Sequence, residues 1–321
     1  MSYLWMRKWR ILITDENDQK ALDVSELHCT FTVKKRRAQG GSTAIVRIHN
    51  LANDTEQSII KEGDRIVIEA GYEGVANSQD GNNAPAVRQY GTIFDGKIIY
   101  PSRSKDSNTD FVLTLSCIDG NDPLFMNYIS MSVNKGMNQR QVFETACSGG
   151  AIPIQTDHIT EKLRQQTLPR GKVFFGMPID YVEDVCRGNA ATFFMDGGKL
   201  NLYTLLDVAE DEALEVDPYT GLIGMPQQTV DGLNFRLLLN PAIKLMTRVK
   251  LSRSELNEVV LMPKQKQRRL DDEWIYQAIE VTHTGDTRGN DWYTDVVGIS
   301  RYGKDSMPGM LASMAQTGNQ P

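Results

Sequence analysis

Alternating apolar and polar positions dominate the first part of the chain. Residues 9–14 and 28–34 follow this period, and the second stretch (HCTFTVK) is rich in residues that favour strands. Residues 43–49 repeat the pattern after a basic, glycine-ended turn at 34–41, which predicts a hairpin with a charged, solvated tip. Further strands are predicted over 65–70, 90–100 and 110–118.

One helix interrupts these strands, and two more follow in the middle of the chain. Asn53 opens an N-D-T-E string that has the form of a capping box. Asn138 is placed to cap a second helix, and Pro178 suits the first turn of a third. A hairpin that turns on Asp-Gly-Gly is predicted over 191–205. The middle of the chain is therefore expected to be a small α+β domain.

The strand pattern resumes near Leu222 and ends before the C-terminal segment. Residues 303–321 show no periodicity, which is typical of a flexible tail. The predicted strands of this second β-rich region cover 233–238, 249–251, 258–262, 274–283 and 292–300.

The two β-rich regions share a pattern. Ile98 is followed by a polar turn and then by Phe111, and Ile279 is followed at the same spacing by a polar turn and Trp292. We interpret this echo as an internal duplication. Three copies of a chain with two similar units would present six near-equivalent units around an axis.

Composition excludes several classes of protein. A net charge of -6 over 321 residues argues against a surface built to grip phosphates, and we interpret the basic run at 34–37 as a solvated hairpin tip. The four cysteines are scattered without a CxxC spacing, so neither a metal site nor a disulfide framework is expected. Basic residues interrupt the apolar N-terminal segment, and no apolar run approaches the roughly 20 residues of a membrane span, so we expect neither a signal peptide nor membrane insertion.

The strongest candidate for chemistry is His283 with Asp286, Asp291 and Asp295. Their spacing matches no metal-ligand motif, and the segment is typical of a hairpin turn. The sequence contains no GxSxG, HExxH or P-loop string. We therefore expect a protein that is not an enzyme and that uses no metal or cofactor.

Several strings resemble the tube domains of phage baseplate hub proteins. Those that resemble the first tube domain are IHNL at 48–51, GD at 63–64, IEAGY at 68–72 and IFDGKI at 93–98. Those that resemble the second are GLIGMPQ at 221–227, LLNP at 238–241 and HTGDTRGNDW at 283–292. The resemblance covers most of the chain, and it departs from the family in a long polar loop at 74–86 and in the lack of a further C-terminal domain.

This resemblance implies a mainly β fold with a smaller α+β insert, in which two similar tube-type β-barrel domains flank the middle. The implied division is 1–120 for the first barrel, 121–210 for the α+β domain, 211–302 for the second barrel and 303–321 for the tail.

The implied function is that of an adapter in the virion tail baseplate, assembled in the host cytoplasm. A homotrimer would form a pseudo-sixfold ring that docks the hexameric tail tube protein on one side and the trimeric central spike protein on the other. It would contact other baseplate proteins and continue the DNA channel, through which DNA passes without specific binding.

Aromatic residues and turn residues in the matching strings are the candidates for the subunit interface. The alternative is that the aromatic residues fill the barrel cores and that the glycines serve tight turns. The candidates are Asn50, Leu51, Gly71, Tyr72, Phe94, Gly96, His283, Gly285, Asp286, Trp292 and Tyr293.

Two other functions remain open. A hub-like spike component of a contractile secretion system would share these barrels but should continue into a long β-helical needle. A β-sandwich carbohydrate-binding module should expose clustered aromatic residues and bind glycans as a monomer.

Overall fold

The computed structural model describes most of the chain. The described residues are 6–15, 21–37, 40–52, 61–73, 89–106, 110–204, 207, 213–228, 232–251 and 274–300. Four predicted features lie outside them: the helix that starts at Asn53, the polar loop at 74–86, the strand at 258–262 and the tail at 303–321.

Strands predominate over helices in the described residues. The helices are α1 (Asn121–Phe125), α2 (Gln139–Ser148) and α3 (Pro178–Asn189). The strands are β1 (Arg7–Thr14), β2 (Ala21–Asp23), β3 (Cys29–Arg36), β4 (Thr43–His49), β5 (Arg65–Tyr72), β6 (Gln89–Lys105), β7 (Phe111–Ile118), β8 (Ile129–Val133), β9 (Gln155–Ile159), β10 (Lys172–Gly176), β11 (Ala191–Asp196), β12 (Lys199–Thr204), β13 (Leu214–Val216), β14 (Leu222–Gln228), β15 (Leu233–Leu238), β16 (Arg248–Leu251), β17 (Ile275–Asp286) and β18 (Trp292–Ser300).

The chain divides into two compact units. Unit 1 comprises the described parts of Met1–Arg36, Thr43–Cys117 and Val208–Ser306. It contains one 13-stranded sheet in the order β14-β15-β18-β17-β3-β4-β7-β6-β5-β1-β2, from which β16 branches at β17 and carries β13. Strands from both β-rich regions therefore belong to a single sheet.

Period-2 burial builds the core of unit 1. In β3 the residues Cys29, Phe31 and Val33 point inward, and the residues between them are less buried. Trp292 on β18 is 1% exposed, and its ring lies edge-on to the rings of Phe31 and Trp9, with centroids 5.5 Å and 5.9 Å away. Each large apolar side chain buried in this way contributes about 1.5–3 kcal/mol.

Unit 2 comprises the described parts of Arg37–Ser42 and Ile118–Asp207. It contains the three helices, a β10-β8 pair and a three-stranded β11-β12-β9 sheet in which β9 is parallel to β12. Asn138 caps α2 as predicted: its Oδ1 accepts a hydrogen bond from the Gln141 N–H at 2.8 Å, and the Gln141 side chain accepts one from the Asn138 N–H at 3.0 Å. Apolar stripes of α2 and α3 meet in a core that includes Phe143 and Phe174.

The basic turn at 34–41 differs from the prediction of a solvated tip. Strand β3 runs on to Arg36, so successive side chains alternate, and Lys35 and Arg37 are buried. The Arg37 guanidinium donates hydrogen bonds to Oγ1 of Thr192 at 3.2 Å and to the carbonyl oxygen of Thr204 at 2.5 Å. Burial lowers the pKa of Arg37 to about 10, against the opposing effect of the Asp207 carboxylate. The run at 34–37 is therefore not the solvated tip that the sequence predicted.

The prediction of a mainly β fold with helices in the middle is confirmed. The expectation of two similar tube-type β-barrel domains is not confirmed, because the described strands form no closed barrel: β17 pairs directly with β3 and the strand order does not return to its start. No helix of the described ranges is long and apolar enough to span a membrane.

Candidate assembly surface

Unit 1 contains the same strand order twice. The first repeat is β3-β4-β7-β6-β5, and the second repeat is β14-β15-β18-β17-β16. In both, the first pair of strands is antiparallel, and so is the last pair. The strand beyond each repeat differs, since β1 is antiparallel to β5 whereas β13 is parallel to β16. The five-strand order is a stronger sign of duplication than the sequence echo alone.

The turn that leads into β5 recurs in front of β16. In the first turn the Lys61 N–H donates to Oδ2 of Asp64 at 2.7 Å, and in the second the Lys244 N–H donates to Oγ1 of Thr247 at 3.1 Å. The N–H groups of Asp64 and Thr247 return hydrogen bonds to the carbonyl oxygens of Lys61 and Lys244. Both turns continue with arginine, at Arg65 and at residue 248.

Each turn binds the middle of the long strand beside it in the same way. In the first repeat the Gly63 N–H donates to the Ile98 carbonyl at 2.8 Å, and the Ile98 N–H donates to the Asp64 carbonyl at 2.8 Å. In the second repeat Met246, Ala278 and Thr247 form the same two bonds, each at 2.9 Å. Gly63 and Met246 both have positive φ, at 96° and 71°. The local backbone is thus duplicated.

The two repeats join through β17 and β3. Residues 280–286 of β17 pair antiparallel with residues 30–36 of β3, from Glu280 opposite Arg36 to Asp286 opposite Thr30. Arg36 and Glu280 form an ion pair at 2.9 Å. A bulge in β17 between Ala278 and Glu280 separates this stretch from the stretch that pairs with β16. We call the β17–β3 pairing the joint.

The strands equivalent to those of the joint are β6 and β14, and each has an edge without a strand partner in the described part of the chain. Strand β5 pairs with β6 only as far as Lys97, so residues 99–105 have β7 on one edge alone. Strand β14 ends the sheet, with β15 as its neighbour. We call these two edges the free edges.

Side chains at the free edges are more exposed than those at the joint. Tyr100 on β6 is 63% exposed, whereas Glu280, at the equivalent position of β17, is partly buried and forms the ion pair with Arg36. Met225 on β14 is 65% exposed, whereas Phe31, at the corresponding point of β3, is 2% exposed. Ile99, beside Tyr100 and on the opposite face, is also exposed, so both faces of this stretch are open. Open apolar positions on a strand edge are typical of a surface that another chain covers.

The predicted aromatic interface residues lie mostly in the core of unit 1. Tyr72, Phe94 and Trp292 are all buried, as the core-filling alternative describes, and burial raises the pKa of Tyr72. Leu51 is also in the core. Tyr293 is only partly buried, and the Arg236 guanidinium lies 4.1 Å from the centre of its ring. An interface role for these residues stays a prediction.

Two of the predicted glycines meet a close approach of other atoms. A Cβ atom at Gly71 would lie 1.9 Å from the Gln89 carbonyl oxygen, and one at Gly285 would lie 2.2 Å from the Phe31 ring. Both glycines therefore serve backbone packing within the chain. Gly96 is a buried position of β6 opposite Ile66.

The polar candidates at the second hairpin do not form one cluster. Nδ1 of His283 lies 2.8 Å from Oγ1 of Thr294, and burial, with a smaller effect of Lys35, lowers the pKa of His283 to about 3. Asp286 instead organises the turn at 287–290. Its partial burial raises the pKa of the carboxyl, but hydrogen bonds from the N–H groups of Arg288 and residue 289 outweigh this effect and hold the pKa below its usual value.

Asn50 binds the first residue of β7 in the first repeat. Its N–H donates to the Phe111 carbonyl at 2.9 Å, and its Oδ1 accepts from the Phe111 N–H at 3.1 Å. The Leu239 N–H makes the equivalent bond to the Trp292 carbonyl at 3.2 Å, which aligns Asn50 with Leu239. Over the described residues, no group of three or more His, Cys, Asp or Glu side chains could hold a metal ion.

The sequence analysis did not predict the free edges. The prediction ended the strand of β6 at residue 100 because the residues after it are polar, yet β6 continues to Lys105. A signal was present in the spacing of the duplicated turns, since KEGDRIVI at 61–68 and KLMTRVKL at 244–251 share lysine and arginine at the same positions.

Comparisons with solved structures show the same fold in phage tail proteins. The chain is similar to the 43 kDa tail protein of prophage MuSo2 from Shewanella oneidensis, with a TM-score of 0.57 and 8% identity, over 92% of this chain and 97% of that chain. It is similar to the tail protein from Neisseria meningitidis MC58, with a TM-score of 0.54 and 8% identity, over 91% and 96%. A chain of the Francisella PdpA-VgrG complex has a TM-score of 0.57 and 8% identity, over 96% of this chain and 60% of that one.

A protein-family model establishes the family. No curated protein sequence matches the chain. The family model described as baseplate hub gp41 matches residues 18–261, which is more than half of the chain. The resemblance inferred from the sequence is thereby confirmed, and the chain belongs to the baseplate hub gp41 family of phage tail proteins.

Proposed function

We propose that this protein is the central hub of a phage baseplate and acts as a homotrimeric adapter without enzymatic activity. Three copies form a ring that joins the hexameric tail tube protein to the trimeric central spike protein, contacts other baseplate proteins and continues the DNA channel. The site of action is the baseplate of the virion tail, after assembly in the host cytoplasm.

The duplicated strand order of unit 1 is the observation that carries this proposal. A trimer has three equivalent positions around its axis, and a hexameric tube presents six. A chain that contains two similar building blocks supplies six near-equivalent blocks from three copies, which resolves the mismatch of symmetry. The five-strand order and the repeated turns support two such blocks in each chain.

The two blocks correspond to the tube-type domains proposed for 1–120 and 211–302, with the α+β domain at 121–210 between them. The joint pairs them edge to edge through β17 and β3. Edge-to-edge pairing of similar blocks is the arrangement from which a continuous ring of strands is built.

The test is the mass and shape of the purified protein. Light scattering should give three times the chain mass of 36.0 kDa for the free protein, or, if the trimer forms only on the tube, a complex that contains three hub chains for each ring of the tail tube protein. Electron microscopy should show a ring with threefold symmetry and a sixfold-like outline. A protein that stays monomeric under both conditions and forms no ring would contradict the proposal.

A second candidate function is favoured by the likeness to a chain of the Francisella PdpA-VgrG complex. On this alternative, the protein is a hub-like spike component of a contractile secretion system. Mass spectrometry of purified particles separates the two functions: the phage hub should be found in tailed virions that carry packaged DNA, whereas the spike component should be found in the secreted fraction of producing cells.

A further inference from the structure

We propose that the two free edges bind each other between copies of this chain, so that β14 of one copy pairs antiparallel with residues 99–105 of β6 in the next copy. This contact repeats, between chains, the joint that β3 and β17 make within one chain. The inference rests on the proposed function and names the strands through which the subunits of the ring meet.

The first step is that both halves of the missing contact are present and exposed. Within the chain, the two repeats meet where β17 pairs with β3. The side chains of Val281 and Phe31 are buried there. The equivalent edges of β6 and β14 have no partner strand within the described residues, and they expose Tyr100 and Met225. The described part of the chain therefore has two different strand edges without a strand partner, one on β6 and one on β14.

The second step is that these edges are different surfaces. An edge of β14 that binds an edge of β6 makes a head-to-tail contact, which leaves one edge of each kind free in a dimer. Such contacts continue until the row closes on itself or grows into a filament. With two blocks in each chain, a ring of six blocks closes at three copies.

The third step is the register. The hydrogen bonds of Asn50 and Leu239 align β4 with β15. Strand β3 pairs with β4 and β14 pairs with β15, and in this alignment Gln227 on β14 is equivalent to Thr32 on β3.

In the joint Thr32 lies opposite Thr284. The turn bonds align Ile98 with Ala278, and the bonds from the Asp106 and Asp286 N–H groups to the carbonyl oxygens of Asp110 and Asp291 align Asp106 with Asp286. The equivalent of Thr284 on β6 is therefore Ser104.

The contact between copies therefore places Gln227 opposite Ser104 and Ile223 opposite Asp106, the residue that follows β6. Between these two pairs lies the bulge of β14, which contains Pro226 and leaves the residues on either side to make the contact. Proline has no N–H to donate, so it is tolerated at a bulge or at an edge.

The experiment uses cysteine pairs in the full chain. Residues directly opposite each other on antiparallel strands have Cα atoms about 4.5–5.5 Å apart, which is within the range of a disulfide. The four native cysteines are buried, and burial raises the pKa of each of their thiols to about 12, so they stay unreactive.

Ser104→Cys is made in a tagged chain and Gln227→Cys in an untagged chain, and the two are mixed and oxidised. The mixture should give a disulfide-linked dimer that contains one chain of each kind, and neither variant alone should give a dimer. The control is Arg103→Cys mixed with Gln227→Cys. A shift of one residue turns the sulfur atoms to opposite faces, so its yield should fall to that of the single variants.

A chain that carries both Ser104→Cys and Gln227→Cys should give a covalent ladder that ends at three chains. If the protein is a trimer by mass but the matched pair links no better than the shifted control, the inference is overturned and the proposed function stands. If the matched pair links and the ladder runs well past three chains, the strand pairing is supported and the trimeric hub is contradicted. If there is neither a link nor a trimer, both fail.

Discussion

Replacement of Trp292 by alanine tests whether this residue fills the core of one chain or contacts a second copy. Its side chain is 1% exposed and packs edge-on against Trp9 and Phe31, while the Arg7 guanidinium lies 5.6 Å from the centre of its ring. A cavity of this size costs about 3–5 kcal/mol of unfolding free energy. We therefore expect Trp292→Ala to destabilise the isolated chain by that amount.

Trp292→Phe should cost much less. Over the described residues no group accepts a hydrogen bond from Nε1 of Trp292, so the substitution removes ring volume without breaking such a bond. We expect a loss of about 1–2 kcal/mol. Tyr293→Ala is the matched control, because the neighbouring side chain points to the other face of β18 and is only partly buried, so its loss should stay below about 1 kcal/mol.

The assay is urea unfolding of dilute, monomeric protein followed by circular dichroism. With typical slopes, the loss expected for Trp292→Ala lowers the midpoint by roughly 1 M or more. If Trp292 acts instead at the subunit contact, the variant should keep the stability of the monomer and lose oligomer. A loss of less than about 1 kcal/mol in the monomer would refute the core assignment.

Three further predictions concern stability. Gly285→Val should lower the thermal midpoint sharply, because the Phe31 ring occupies the space of the new side chain. The control is Gly188→Ala in α3, which has open space around it and should be neutral or stabilising by up to about 1 kcal/mol. A larger loss in Gly188→Ala than in Gly285→Val would contradict the packing. Because burial lowers the pKa of His283 from 6.5 to about 3, the unfolded chain binds the extra proton between these values, so stability is complete above pH 6.5 and falls by up to about 1.4 kcal/mol per pH unit below it. Urea titrations should show a shallower fall in His283→Gln, and equal slopes would exclude this origin. Asn138→Ala should cost about 1 kcal/mol through the lost cap of α2, and an unchanged helix signal and midpoint would count against the capping box.

Local patterns predicted much of the secondary structure. Strands β4, β15 and β18 have the predicted bounds, because β4 and β15 carry an apolar residue at every second position and β18 is rich in aromatic and β-branched residues. Helices α2 and α3 begin at the predicted cap and proline. The predicted end of β6 was too early, since polar residues on an exposed edge carry no period-2 signal.

The candidate site was predicted less well. The sequence indicated the right family and the right hairpins, but the aromatic residues chosen for the interface are mostly in the core. Size and polarity at one position are the same for a buried aromatic residue and for an interface aromatic residue. The two differ only in what the rest of the chain brings against them.

The sequence by itself determined the β-rich class, the helical middle, the family and the echo between the two β-rich regions, because each depends on residues that are close along the chain or on strings in a fixed order. The echo was one residue out of register, since the turn bonds align Ile98 with Ala278 and not with Ile279. The tertiary structure alone decided that β17 pairs with β3, that Lys35 and Arg37 are buried, and that the edges of β6 and β14 stay without a strand partner among the described residues. Strand pairing joins segments about 250 residues apart through backbone groups that every residue carries, so no local pattern of side chains specifies it.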